Sequence, residues 1–499
     1  MNETNGNNIN ASLVDSIQVL KANIDRPIIR KILRLISKKC RKDKKNRLEI
    51  ALELMTNTRS RADTCVICNL FAPLLNGIVT RSAKAFGVTK EQLVEKFENP
   101  YWRRGLVNTV TGIAKFGVTK PFVPTAPFLV VWDYTYACNL QCKHCYATAG
   151  KPLKDELTTK EAFKCVDQLA EAGVTSIAFS GGEALIRKDF FEVAAHARDL
   201  GIFPAVATNG TLLTKEMVKQ LKKLNLGYVQ ISLDGACAKT HDMFRGVPGM
   251  FEKTVQGIKN CVEVGDLFVE VATTITNLNY KELPEIVQLC RDLGIDWFMH
   301  YNFVPVGRGT EIIDLDLDPF EREKMIRYLW HELRTDDKMA LLSTAPQFAR
   351  IAIQEEHGDS TVIPSHFYNC NLPGQLQNLS SFVGGCGAGR FYCAIRPNGN
   401  IEPCVFLPIT VGNIKHDNFE ELWANNRILW TLRDRDKLQD NCGRCKFKYV
   451  CGGCRARAYA YFGDIRAPDP GCINNKEAYY AAMQKRLLKT KVAQLKVRV

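Results

Sequence analysis

Between Ser12 and Lys120 apolar residues recur at helical spacing, and strand signals are few. Ile29, Leu33 and Ile36, and later Leu48, Ala51, Leu52 and Met55, fall on such faces beside charged positions. Tyr101–Gly117 carries another stripe, Leu106, Val107, Val110, Ile113 and Phe116, with Arg103, Arg104 and Lys115 nearby. Pro121, Pro124 and Pro127 then mark a rigid connector. From Phe128 the period changes. Strand-like runs at Phe128–Tyr134, Thr175–Ser180, Ile202–Ala207, Tyr228–Leu233, Leu267–Thr274 and Asp296–Val304 alternate with helical stretches at Thr159–Ala172, Asp189–Leu200, Lys215–Leu224, Phe251–Val264 and Lys281–Leu293. Thr158 and Glu161 stand at capping-box spacing before the first of these helices. This alternation predicts an α/β fold, a parallel sheet curled into a partial (β/α)6 TIM-like barrel.

Beyond Asp314 a helical connector contains Met325–Leu333, and Asn369–Cys472 is cysteine-dense, glycine-rich and poor in periodic runs. A basic helix, Lys476–Val499, closes the chain. The expected division is 1–120, a basic helical region; 121–313, the partial barrel; 314–368, the connector; 369–475, a cysteine-rich iron–sulfur domain; and 476–499, the last helix.

Length agrees, since 499 residues exceed one ordinary domain and 46% apolar content suffices for full cores. No run reaches the ~18 apolar residues of a membrane span, and polar Met1–Asn10 has no basic-then-apolar leader, so a cytoplasmic location with reduced thiols is expected. There, nineteen cysteines read as metal ligands before disulfides. The formal charge of +14 gathers near the N-terminus, as in Lys38–Arg47. That run suits an anionic partner, but a solvated helix face is the preferred reading, and without interleaved aromatics nucleic acid is not expected. The Leu106–Phe116 stripe allows peripheral membrane contact, although packing against a neighbouring domain is preferred.

Chemistry concentrates after the predicted strands. The first is followed by Cys138-Asn-Leu-Gln-Cys142-Lys-His-Cys145-Tyr146. A [4Fe–4S] cluster takes one cysteine per iron, so three leave one iron open, and an open position marks a reactive site. Ser180-Gly181-Gly182-Glu183 follows the second strand, Thr208-Asn209-Gly210 the third and Ser232-Leu233-Asp234-Gly235 the fourth. Each alone reads as a turn. In this order, at the ends where parallel sheets carry their chemistry, they read as a ligand site. Farther on, Cys442-x2-Cys445-x5-Cys451-x2-Cys454-x17-Cys472 is preceded by Cys386, Cys393 and Cys404, enough thiols for two full clusters, with structural zinc as the competitor. Near the N-terminus Cys65-x2-Cys68 is a lone pair: half of a zinc or iron–sulfur site, together with Cys40, or an inert buried pair. Cys165, Cys261 and Cys290 read as core, Cys237 lies in a loop, and Cys370 stands apart.

On these motifs Phe128–Gly309 resembles a radical S-adenosylmethionine enzyme, with His144 at the position that is usually aromatic. The resemblance implies that Cys138, Cys142 and Cys145 hold a [4Fe–4S] cluster whose open iron chelates S-adenosylmethionine, and that a 5′-deoxyadenosyl radical then removes a substrate hydrogen. It implies that Gly181, Gly182 and Glu183 hold the methionine amino group, that Thr208, Asn209, Ser232 and Asp234 lie near ribose or carboxylate, and that Arg245 is a carboxylate partner. The C-terminal cysteines resemble the SPASM auxiliary-cluster domain. That implies one cluster on Cys386, Cys393, Cys404 and Cys454 and a second on Cys442, Cys445, Cys451 and Cys472, both taking up electrons. An electron donor such as ferredoxin or flavodoxin is implied as well.

For the substrate, peptide or cofactor maturation is the commonest role of such domains. His241–Gly246, Val306-Gly307-Arg308-Gly309 and Cys451-Gly-Gly-Cys-Arg-Ala-Arg-Ala-Tyr459 resemble enzymes of the alternative haem and haem d1 pathways, which points to a tetrapyrrole side chain. A membrane lipid is the third class, and a non-enzymatic electron carrier the least favoured reading.

Overall fold

A computed structural model describes residues 27–43, 45–84, 88–336, 338–355, 360–361, 372–373 and 380–497. The expectations placed on Met1–Asn10 and on Cys370 fall outside these residues.

Among the described residues, helices α1 (Pro27–Ile36), α2 (Arg47–Met55), α3 (Val66–Lys84), α4 (Lys90–Glu98) and α5 (Pro100–Phe116) precede the first strand. Their starts follow from local chemistry. Asn46 caps α2, Thr89 and Gln92 form a capping box on α4, and Asn99 caps α5 with Pro100 at its first position. Ile36, Leu48, Leu52, Leu75, Leu93 and Phe97 make a core against which Leu106, Val107 and Val110 pack. The α5 stripe is thus used for packing within this helical unit. Its last residue, Phe116, meets Trp430 edge-on at 5.4 Å.

The barrel follows as β1 (Leu129–Thr135), α6 (Thr159–Ala172), β2 (Ser176–Gly181), α7 (Phe190–Asp199), β3 (Phe203–Thr208), α8 (Lys215–Lys223), β4 (Tyr228–Ser232), α9 (Ala238–Arg245), α10 (Met250–Val264), β5 (Phe268–Ile275), α11 (Leu283–Asp292) and β6 (Trp297–Asn302). The capping box of Thr158 and Glu161 is present at α6. After α12 (Pro319–Thr335) the connector supplies a seventh parallel strand, β7 (Ala340–Ser343), and then α13 (Gln347–Glu355). The sheet also grows at its other edge. Strand β8 (Tyr392–Ile395) pairs parallel with β1, and β9 (Asn400–Glu402) and β10 (Gly412–Asn413) continue it antiparallel. The order is β10-β9-β8-β1-β2-β3-β4-β5-β6-β7.

Because β1 to β7 run parallel, their C-terminal ends share one rim and their N-terminal ends the other. The helical unit grips the N-terminal rim. Arg104 on α5 donates to Val174 O at 2.6 Å, Leu200 O at 3.1 Å and Ala170 O, and Asn108 donates to Ala126 O at 2.9 Å and Gly173 O at 3.2 Å. Tyr101 meets Phe203, the first residue of β3, edge-on at 4.9 Å. The opposite rim is left for chemistry.

Candidate active site and iron–sulfur ligands

The loop leaving β1 is tied down along its length. Gln141 N and Lys143 N donate to Arg245 O at 3.1 Å and Phe244 O at 3.0 Å, at the end of α9. Arg308 donates to Cys142 O at 2.9 Å and Ala149 O at 2.7 Å. Gly307 sits at φ +55°, and a Cβ there would run into the carbonyls of Cys145 and Tyr146. Sulfur receives donors too: Leu140 N reaches Cys138 Sγ and Ala149 N reaches Cys145 Sγ, each at 3.4 Å. Burial pushes the Cys138 thiol up to about 11. A metal's charge is what holds such a group as thiolate, and N–H donors to sulfur are what tune a cluster's potential. The loop fits a thiolate-held cluster.

Gly181, at the end of β2, and Gly182 pack closely against the cysteine loop. Gly182 N donates to Thr135 O at 2.7 Å and Glu183 N to Ala137 O at 2.9 Å, so this segment zips onto the base of the cysteine loop. The close approach that Gly181 and Gly182 permit is to the loop backbone at Thr135–Ala137, where a Cβ would collide. Glu183 is fully buried, which pushes its carboxyl up, and its oxygens accept from Thr208 Oγ1 at 2.9 and 3.0 Å, Asn209 N at 2.8 Å and Leu185 N at 3.2 Å. Thr208 is thereby committed to Glu183. Asn209 Nδ2 donates to Asn139 Oδ1 at 2.8 Å inside the cysteine loop. Ser232, ending β4, is half-buried at the rim.

Asp234 is also committed, as an orienting group. One oxygen accepts from Thr274 N at 2.8 Å, and the other pairs with Arg245 Nη2 at 2.7 Å and lies 3.4 Å from His144 Nε2. Arg245 turns its Nη1 to Cys142 Sγ at 3.6 Å, while its Nε is buried without a hydrogen-bond partner. His144 stacks on Phe244 with centroids 4.2 Å apart. Burial, then the charges of Arg245 and Arg308, hold its ring neutral.

The C-terminal cysteines separate into two groups, and one prediction fails. Cys386, Cys404 and Cys454 share an apolar cluster with Val304 and Val306, Tyr146 and Phe406. Phe406 N donates to Cys404 Sγ at 3.5 Å and Arg457 N to Cys454 Sγ at 3.4 Å. Burial first, then Asp469 and Cys386, pushes the Cys454 thiol up to about 12. Cys393 does not join them. It sits on β8, where side chains alternate, and its neighbour Tyr392 faces Cys404 and Cys386. Cys393 points the other way, 1% exposed in the barrel core, with Cys165 of α6 close by. The first auxiliary group therefore has three cysteines among the described residues. The second gathers Cys442, Cys451 and Cys472, where burial first and then the neighbouring Cys472 and Cys442 raise the Cys451 thiol, with Cys445 just past the short helix Asp440–Arg444 that carries Cys442. Donors reach Cys442 from Asp469 N at 3.4 Å, Cys445 from Phe447 N at 3.4 Å and Cys451 from Gly453 N at 3.4 Å.

Sequence reasoning missed Arg435. It is 1% exposed, donates Nη2 to Cys386 O at 2.5 Å and leaves Nε and Nη1 without partners, under the influence of Cys386 and Cys451. A bare cation between the two groups fits a pair of anionic clusters. Nothing in Asp434-Arg435-Asp436 announces it. Cys165, Cys261 and Cys290 are core residues as expected, and Cys237 is exposed.

Parallel barrel, three-cysteine loop at its C-terminal rim and a cysteine module on its edge strand together define a radical enzyme. The sequence pattern of the Radical SAM superfamily matches residues 132–290, and that of SPASM, an iron–sulfur cluster-binding domain, residues 386–446. The chain belongs to the radical S-adenosylmethionine enzymes with a SPASM domain, and its cofactors are S-adenosylmethionine and [4Fe–4S] clusters. It is 37% identical over 352 residues to the AdoMet-dependent heme synthase of Methanosarcina barkeri, covering 70% of this chain and 97% of that protein. It is 30% identical over 367 residues to the mycofactocin maturase MftC of Mycobacterium tuberculosis, covering 72% of this chain and 87% of that one. SuiB of Streptococcus suis, bound to S-adenosylmethionine, superposes with a TM-score of 0.60 at 18% identity, over 82% of this chain and 89% of that chain, a likeness of fold. No helix of the described residues is long and apolar enough to cross a membrane.

Proposed function

We propose that this enzyme oxidises a carboxylate-bearing side chain of a tetrapyrrole. When bound, S-adenosylmethionine and the loop cluster supply a 5′-deoxyadenosyl radical that takes a substrate hydrogen, and the auxiliary clusters supply an electron acceptor. The observation that carries the oxidation is the seat of Cys386, Cys404 and Cys454. They pack against Tyr146 of the cysteine loop and against Val304 and Val306 just beyond β6, on the rim that bears the loop. Tyr146 meets Phe406 at 5.1 Å and donates its hydroxyl to Asp133 Oδ1 at 2.9 Å, and Asp133 pairs with Arg396 at 2.5 Å. These contacts fix the spacing of loop and module.

For S-adenosylmethionine, Gly181, Gly182 and Glu183 would face the ammonium, a donor whose hydrogens backbone carbonyls and the Glu183 carboxylate would accept, while the N–H groups of Gly182 and Glu183 stay bonded to the loop. Arg245 Nε would meet the carboxylate, and Ser232 and Asn209 the ribose. Thr208 and Asp234 act through Glu183 and Arg245. The tetrapyrrole rests on the heme synthase likeness and on the His241–Gly246, Val306–Gly309 and Cys451–Tyr459 motifs. The division of the chain into 1–120, 121–313, 314–368, 369–475 and 476–499 belongs to the same proposal, with β7 and β8 binding the middle three parts into one sheet.

The test is anaerobic turnover with S-adenosylmethionine, a strong reductant and, in parallel, an iron porphyrin bearing propionates, a cysteine-rich peptide and a phospholipid. The porphyrin should raise 5′-deoxyadenosine above the substrate-free rate and lose carbon dioxide. Stimulation by the peptide or the lipid instead would overturn the tetrapyrrole. No 5′-deoxyadenosine under any condition would overturn the chemistry.

A further inference from the structure

We propose that Cys40, Asp43, Cys65 and Cys68 bind one zinc ion that clasps the helical unit. Neither family match extends below residue 132, so these side chains lie outside both iron–sulfur modules.

The turn between α1 and α2 is a small hairpin, bridged at Lys39 and Asn46 and closed by Cys40 N donating to Lys45 O at 2.7 Å. It turns Cys40 and Asp43 toward the start of α3, where Cys65 precedes the helix and Cys68 lies in its first turn. Cys40 Sγ and Cys65 Sγ are 3.4 Å apart, Cys40 Sγ and Asp43 Oδ2 3.1 Å, and all four ligand atoms lie within 4.8 Å of one another. Cys40 and Cys68 are 4% and 2% exposed and pack with Ile50.

Distances choose among the possibilities. A disulfide needs sulfurs about 2.05 Å apart, well inside the 3.4 Å here. A tetrahedron of Zn–S bonds near 2.3 Å puts its sulfurs about 3.8 Å apart, inside the observed spread. Thiolates on separate irons of a four-iron cluster stand wider, since each binds a different metal atom. One tetrahedral ion fits best, and two x2-spaced pairs held by separate backbone segments are the usual donor arrangement for structural zinc.

The contacts around these ligand atoms agree. Cys68 N donates to Cys65 Sγ at 3.3 Å, the same N–H to sulfur contact found at the cluster cysteines. Asp43 keeps Oδ2 toward the sulfurs while Arg59 Nη2 holds Oδ1 at 2.7 Å, and Arg59 is itself anchored on Asp63 O and Thr64 Oγ1, each at 2.9 Å. A carboxylate ligand fixed through its other oxygen is a standard outer-shell device. Three thiolates and a carboxylate on Zn²⁺ leave a net charge of −2, the three thiol protons passing to solvent. Arg59, paired with Asp43 at 2.7 Å, offsets part of that charge. The need for a clasp is visible on α3, whose face at Val66, Leu70, Leu74 and Ile78 is exposed, so burial on that side does not hold it.

The full-length protein, purified without added zinc chelator, should carry about one zinc per chain by mass spectrometry beside its cluster iron. Cys65→Ser with Cys68→Ser should lose the zinc and keep the iron, while Cys68→His keeps both. X-ray absorption at the zinc edge of the unmutated protein needs no variant to fold, and should show three sulfurs near 2.3 Å and one oxygen near 2.0–2.2 Å. Zinc absent from the unmutated protein, zinc unaffected by the double substitution, or iron falling by about four with it would each overturn the proposal.

Discussion

Tyr392 and Cys393 are neighbours in the chain and face opposite sides of the sheet, which decides which thiols meet iron. Cys393→Ala should leave the iron count unchanged and cost about 1–2 kcal/mol of packing, whereas Cys404→Ala should remove about four irons per chain, both read by metal analysis. Counting cysteines could not separate them, because spacing says nothing of strand phase. Arg245 joins Asp234 to the Cys142 sulfur through a planar fork. Arg245→Lys should therefore lower S-adenosylmethionine cleavage by about tenfold or more, since an ammonium cannot serve both partners and the ligand. His241 adds a pH effect. Burial first, then the charge of Arg245, holds its ring down to about 4 against an ordinary 6.5, and its Nδ1 accepts Asp234 N–H at 3.2 Å. Below 6.5 the unfolded chain takes a proton that the folded ring refuses, so stability falls as pH drops toward 4, by at most about 3 kcal/mol. Hydrogen exchange of α9 should rise through that window and rise less in His241→Gln.

At the scale of elements, α5 is the hinge pin between helical unit and barrel. Asn108 on it is 1% exposed and makes three hydrogen bonds to backbone at Ala126 and Gly173. Asn108→Ala should strand those groups at a cost of about 2–3 kcal/mol, loosening amide protection in α1–α5 while leaving 5′-deoxyadenosine formation intact. The α5 stripe was legible as a packing face, and so were the six alternating strands, because each spans five residues or more with a clear period. Strands β7 and β8, four residues each, are too short for any period to show, and β8 pairs with a partner some 260 positions away. The lone CxxC was equally opaque: Asp43 carries no signature, and only the fold brings it to the sulfurs.

Across the whole molecule the two barrel rims divide the labour, the helical unit on one and the three cysteine groups proposed to hold iron toward the other. Reconstituted protein should hold about twelve irons, four for each group. The cysteine loop and the motifs after β2, β3 and β4 announced the chemistry because they are local in sequence. The link between loop and module, carried by Tyr146, Asp133 and Arg396, is not local and was invisible. That link sits beside the β1–β8 ladder, in which Leu129, Val130, Val131 and Trp132 pair with Tyr392, Cys393, Ala394 and Ile395. One strand thus launches the reactive loop and also serves as mounting rail for the iron module. Cutting such a module free would bare a parallel edge on both pieces, so a chimera with a relative's module should fold only if the rail is inherited whole.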